Sequence, residues 1–192
     1  MRRNVVNSIL DHDRQKPFDE ISGFSVRPGN CLLNGATKMN DGVNFTIYSR
    51  YATSCELLLF RRKADVPYAI IRIPERYRTG GIYSIFIYSL KIEDFEYCYR
   101  FNGPYDPSRG LLFDRKKLIL DPYARAVTGQ RAWGAAKPSG AYHARVVRDS
   151  FVWRKADFPR TKMEDTIIYE MHVRGFTRHK SSRVKYPGTF AG

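Results

Sequence analysis

The sequence is poor in cysteine and has no CxxC pair, no long apolar run and no long basic tract. Its three cysteines, Cys31, Cys55 and Cys98, are odd in number, so they cannot all be bridged within one chain. They lie in or beside apolar strand-like segments, which predicts buried thiols rather than a disulfide framework or a zinc site. No segment approaches the length of a membrane span, and the apolar part of the N-terminal MRRNVVNSILDHDRQ is too short and broken for a signal peptide. The simplest expectation is a cytoplasmic protein with no membrane partner. No glycine-rich phosphate loop and no serine-centred nucleophile motif occurs. His12, His143, His172 and His179 have no metal-ligand spacing, so neither a metal nor a cofactor is expected.

Apolar and aromatic residues, by contrast, are plentiful. Hydrophobic residues make up 43% of the 192, including 13 Tyr and 12 Phe, enough for a packed core. There are 33 basic side chains against 19 acidic ones, a formal net charge of +14. Such an excess raises the question of an anionic partner. The basic residues are nevertheless dispersed in pairs and triplets, such as Arg61-Arg62-Lys63 and Arg115-Lys116-Lys117. No nucleic-acid recognition motif accompanies them, and no nucleic-acid partner is expected.

The patterning from Gly23 onward is that of β-structure. Val43–Tyr48 alternates at period two directly after the turn former Asn40-Asp41-Gly42. Cys55–Phe60, Tyr68–Ile73, Tyr83–Tyr88 and Phe95–Phe101 follow at a spacing of about 12 residues with turn signals between them, which argues an antiparallel sandwich. Phe95, Tyr97, Tyr99 and Phe101 occupy every second position of one strand and are expected to fill the core. Asn102–Gly110 is saturated with turn formers and reads as a structured loop. Leu118–Val127 reads as an extended connector, and the stretch up to Arg160 is irregular. Thr166–Val173 then resumes as an apolar strand of the kind buried between layers.

Three stretches resemble the glycogen-debranching, isoamylase and type I pullulanase branch of the α-amylase superfamily. Gly42–Ser49 with Ala52–Phe60 looks like the opening strands of its glycogen-binding-type module, an immunoglobulin-like sandwich. Tyr99–Pro107, Arg109-Gly110 and Leu120–Ala126 are more specific. Glu164–Thr177 looks like barrel strand one with its outgoing loop, and Tyr186–Gly192 like the approach to the first barrel helix. The likeness runs from about Phe24 to Gly192 in the family's order. It departs after Phe151-Val152-Trp153, where Arg154–Arg160 looks shortened.

The resemblance implies a mainly β chain: an immunoglobulin-like antiparallel β-sandwich, a linker, and the first strand of an incomplete (β/α)8 barrel. The corresponding division is a lead-in over 1–22, the module over 23–115, a connector over 116–160 and the barrel start over 161–192. The family's nucleophile, acid/base and stabilising Asp belong to later barrel strands. A barrel takes roughly 250 residues and only about 30 follow Thr161, so no catalytic residue is expected here. Glu170 and His172 share a strand face, but mid-strand polar residues at a barrel's start are more often interior partners.

Binding therefore carries the functional expectation. Sugar rings present apolar C–H faces to aromatic side chains and hydroxyls to polar ones. Tyr105, Trp133 and Asn102, in loop-like sequence, are the candidate α-glucan contacts. Tyr105 and Trp133 would otherwise pack the module against a catalytic barrel. The implied function is the N-terminal part of an enzyme cleaving α-1,6 branches of glycogen or starch-like glucans. The alternative is a stand-alone α-glucan-binding or protein-interaction module without catalysis.

Overall fold

In the computed structural model, residues 16–129, 142–148, 152 and 159–192 are described. The chain divides into two units, 1–149 and 150–192. The first holds two antiparallel sheets and a hairpin. One sheet contains β1 (Asp19–Ile21), β2 (Phe24–Pro28), β3 (Gly35–Met39), β4 (Gly42–Tyr48) and β8 (Ile82–Tyr88), in the order β1-β2-β8-β4-β3. The two-residue β7 (Arg78–Thr79) also pairs with β8. The other sheet contains β5 (Ser54–Arg61), β6 (Pro67–Arg72), β9 (Phe95–Asn102), β12 (Ala126–Thr128) and β13 (His143–Arg145), in the order β12-β13-β9-β5-β6. The small hairpin joins β10 (Tyr105–Asp106) to β11 (Leu111–Leu112).

Strand alternation builds the core. Val43, Phe45 and Ile47 of β4 and Tyr83, Ile85 and Ile87 of β8 come from one sheet. Cys55, Leu57 and Leu59 of β5 and Phe95, Tyr97, Tyr99 and Phe101 of β9 come from the other; all are buried in one cluster. The four alternating aromatics of β9 are thus core residues, as their spacing required. Rings meet between the sheets, with Phe45 of β4 edge-on to Tyr97 of β9 at 5.3 Å, and along β9 itself, with Tyr97 edge-on to Tyr99 at 5.9 Å. Each such side chain contributes about 1.5–3 kcal/mol by leaving water, and an edge-on aromatic pair adds about 0.5–1.5 kcal/mol.

The sandwich reaches beyond residues 23–115 at both ends. Asp19–Ile21, placed in the lead-in by sequence, pairs with β2. The connector contributes more: β13 pairs with β9, and β12 with β13. The physical reason is that β9 would otherwise present an open edge. The outward side chains Leu58, Phe60 and Cys98 also need cover, and Leu118 packs on them. His143 of β13 stacks on Phe60 at 3.9 Å, with its Nδ1 3.1 Å from the buried Glu96 carboxylate. Cys55 and Cys98 are buried free thiols as expected, whereas Cys31 is only half-buried, because it lies in the turn after β2 rather than in a strand.

The second unit departs from its sequence reading. Residues 166–172 form no ladder, and the strand expected over Ile167–Val173 is absent there. Ile167 is 97% exposed and Tyr169 73%. A barrel strand gains its ladder and its two buried faces only from neighbouring strands, and an isolated segment bears the ordering entropy without them. A short helix, α1 (Val173–Phe176), follows, with 3₁₀ turns at Met163–Asp165 and Lys180–Ser182. His172 caps α1: its Nδ1 accepts the Gly175 N–H at 2.9 Å. Glu170 beside it is exposed. The first part of the lead-in, residues 1–15, lies outside the described residues.

Candidate functional site

At one end of the sandwich the two sheets part around a cleft of about 670 Å³. Its floor is apolar: Ile47 at the end of β4, Phe101 near the end of β9, and Leu111 and Ile119. The Tyr48–Tyr51 loop forms one wall and the Gly110–Asp114 segment another, with Lys117 and Pro122 completing the lining. The volume lies within the range of small-ligand sites, about 300–1,000 Å³.

Both aromatic walls rest on glycine. A Cβ at Gly81 would stand 2.7 Å from Cε2 of Tyr48, and one at Gly103 would stand 2.6 Å from Cγ of Phe113. Only glycine lets either ring lie that close to the backbone. The Tyr48–Tyr51 loop is pinned further. Ser49 N donates to the Gly81 carbonyl at 2.7 Å, Arg78 Nη2 to the Arg50 carbonyl at 3.0 Å, and Tyr83 Oη to the Ala52 carbonyl at 2.9 Å. Tyr48 is nevertheless 61% exposed and Tyr51 48%. These are surface aromatics held in place by backbone contacts rather than by burial.

The connector closes the base of the cleft through a buried carboxylate. Ile119 and Tyr99 exchange backbone hydrogen bonds, at 2.8 and 2.9 Å, docking the connector alongside β9. Two residues on, Tyr97 Oη donates to Asp121 Oδ2 at 2.7 Å, and Tyr123 N donates to Oδ1 at 2.8 Å. Asp121 is 2% exposed. Burial raises its pKa above the ordinary aspartate value, while the Tyr97 and Tyr123 hydrogen bonds act in the opposite direction. Leu120–Ala126 is part of the more specific stretch of the family resemblance, and its Asp121-Pro122-Tyr123 core serves as this anchor.

Of the three residues singled out from sequence, the two that the structure describes do not line the cleft. Tyr105, 70% exposed, stands opposite Leu112 in the hairpin register, and Leu112 lines the cleft. Cross-strand partners share a face, so Tyr105 extends the Leu112 wall outward. Asn102 does not line the cleft. It follows Phe101 on β9, so its side chain turns to the opposite face, and its carbonyl accepts from Thr53 N at 2.8 Å. Trp133 lies outside the described residues. Sequence reasoning missed Tyr51, Arg50, Leu112 and Phe113. The one available signal was Tyr48-Ser49-Arg50-Tyr51, two tyrosines flanking a loop directly after a strong strand. Among the described residues no group of three His, Cys, Asp or Glu side chains is placed to hold a metal ion. No described helix is long and apolar enough to cross a membrane.

The sandwich and its anchored connector coincide with a known module. Residues 34–124 match the family described as carbohydrate-binding module 48 (isoamylase N-terminal domain). The chain carries a family 48 carbohydrate-binding module. It corresponds to the N-terminal domain of the isoamylase and glycogen debranching enzyme family. Isoamylase SU1, chloroplastic, of Zea mays is 37% identical over 169 residues, covering 82% of this chain and 21% of the relative. The glycogen debranching enzyme of Serratia proteamaculans is 36% identical over 179 residues, covering 86% of this chain and 26% of the relative. The chain thus spans about a fifth to a quarter of the curated relatives it matches, 21% and 26% in these two. Among solved structures, GBS pullulanase SAP in complex with maltotetraose superposes with a TM-score of 0.52 at 24% identity, covering 83% of this chain and 21% of that one. That likeness establishes a shared fold.

Proposed function

We propose that this chain is the α-glucan-binding N-terminal module of an enzyme that hydrolyses α-1,6 branches in glycogen or starch-like glucans. The supporting observation is the family 48 match over residues 34–124, which falls on the sandwich described above. Hydrolysis itself is assigned to the protein in its full family form. A retaining glycoside hydrolase brings a nucleophilic carboxylate and a general acid to about 5–5.5 Å across the scissile bond. The role of this chain is to hold the polymer.

A second reading has its own observation. Ile167, Ile168 and Tyr169, 97%, 72% and 73% exposed, form a run of apolar side chains suited to burial against further polypeptide. In that reading the module is chiefly an interaction unit. Affinity electrophoresis through glycogen, with a reducing-end assay on the same sample, separates the two. Retardation by glycogen without release of reducing ends supports the binding module. Unretarded migration overturns it in favour of the interaction unit, and release of reducing ends overturns the division of roles.

A further inference from the structure

The cleft has features of a preformed ligand site rather than of incidental surface. Its two aromatic walls come from distant parts of the sequence, and each is seated on a glycine, Gly81 under Tyr48 and Gly103 under Phe113. The Arg78 guanidinium braces one wall by donating to the Arg50 and Gly80 carbonyls at 3.0 and 2.7 Å. A rigid aromatic surface binds with little loss of side-chain freedom, which favours affinity. The rim is mixed: Ser49, Arg50, Asp114 and Lys117 supply donors and acceptors around the apolar floor. A purely aliphatic ligand would leave that rim unused, and a small anion would leave the floor unused.

A glucosyl unit matches both halves. Its C–H faces stack on tyrosine rings, while its equatorial hydroxyls reach outward to charged and polar groups. We propose that this cleft receives a short α-glucan segment, with glucosyl rings against Tyr48 and Tyr51 and hydroxyls facing Arg50, Asp114 and Lys117. The exposed Leu112–Tyr105 pair continues the apolar wall beyond the cleft, where the next unit of the chain would lie. The assignment rests on the α-glucan-binding reading and adds the place where the polymer sits.

The test uses the 192-residue chain, with maltotetraose in calorimetric titration and glycogen in affinity electrophoresis. Tyr48→Ala and Tyr51→Ala remove the stacking surfaces from half-exposed positions. Gly103→Ala displaces the Phe113 wall without deleting any group that faces the sugar. Tyr68→Ala, at an exposed aromatic on β6 outside the cleft, serves as the comparison. Thermal unfolding of each variant establishes that it is folded. Each cleft variant is expected to weaken maltotetraose binding about tenfold or more, and Tyr68→Ala to leave it unchanged. Undiminished binding by all three cleft variants overturns this placement while leaving the α-glucan reading intact. Equal loss in Tyr68→Ala overturns it as well, since the effect would not be local to the cleft. If the unmutated chain binds neither maltotetraose nor glycogen, the reading beneath it fails too.

Discussion

Tyr97→Phe isolates the hydrogen bond that ties the connector to the sandwich. The ring stays, and with it the edge-on contacts to Phe45 at 5.3 Å and Tyr99 at 5.9 Å. What goes is the hydroxyl that donates to Asp121 Oδ2 at 2.7 Å, leaving the Tyr123 N–H on the other carboxylate oxygen. A hydrogen bond to a charged group in such a setting contributes about 1.5–3 kcal/mol. For a protein of this size 1 kcal/mol moves Tm by about 2–4 °C, so a fall of about 3–12 °C is expected at neutral pH. The pH dependence follows from the same carboxylate. Burial holds the folded-state pKa of Asp121 above its ordinary value, so this group favours the folded state when protonated, and that contribution is lost as pH rises through the raised pKa. Removing a donor that stabilises the carboxylate raises the pKa further. The penalty of Tyr97→Phe is therefore full above the Asp121 pKa and shrinks as pH falls through it toward the ordinary aspartate range. Thermal unfolding by circular dichroism of both proteins at mildly alkaline and mildly acidic pH measures this directly. A difference below about 0.5 kcal/mol at neutral pH, or a penalty that grows on acidification, would refute the anchor.

Two further predictions concern the thiols and the second unit. Burial pushes the Cys98 thiol up to about 12 and raises that of Cys55 as well. Because the thiolate is the nucleophile, iodoacetamide at pH 8 should label half-buried Cys31 first, and all three cysteines only after unfolding. Mass spectrometry of the labelled peptides reads the order, and early labelling of Cys98 would contradict its burial. Replacing Ile167, Ile168 and Tyr169 together with serine should lower self-association in sedimentation velocity and leave the sandwich Tm unchanged. A loss of sandwich stability would show instead that the second unit supports the first.

Most of the core was legible in the sequence because the side-chain period of a strand is independent of what lies around it. Val43, Phe45 and Ile47, or Phe95, Tyr97, Tyr99 and Phe101, declare a buried face by alternation alone. The limits of the sandwich were less legible. β12 and β13 are three residues each and carry no strong pattern, since they exist to cover the β9 edge and the outward Leu58 and Phe60. Ile167–Val173 shows the converse: a strand-like sequence whose ladder depends on neighbours that are not among the described elements.

Residue type and spacing alone determined that this chain is an antiparallel β protein and that its alternating aromatics face inward, while its resemblance to a known family, carried in part by Leu120–Ala126, was also legible in the sequence. Only the tertiary structure decided which exposed aromatics stand together. Tyr48 and Tyr51 leave one sheet, Leu112 and Phe113 return on a hairpin after the other, and the cleft exists only where those segments meet. Its walls depend on Gly81 and Gly103, whose missing Cβ atoms matter because of rings that fold onto them from elsewhere in the chain. Periodicity reports which face of an element is buried, and convergence of loops depends on how the elements pack.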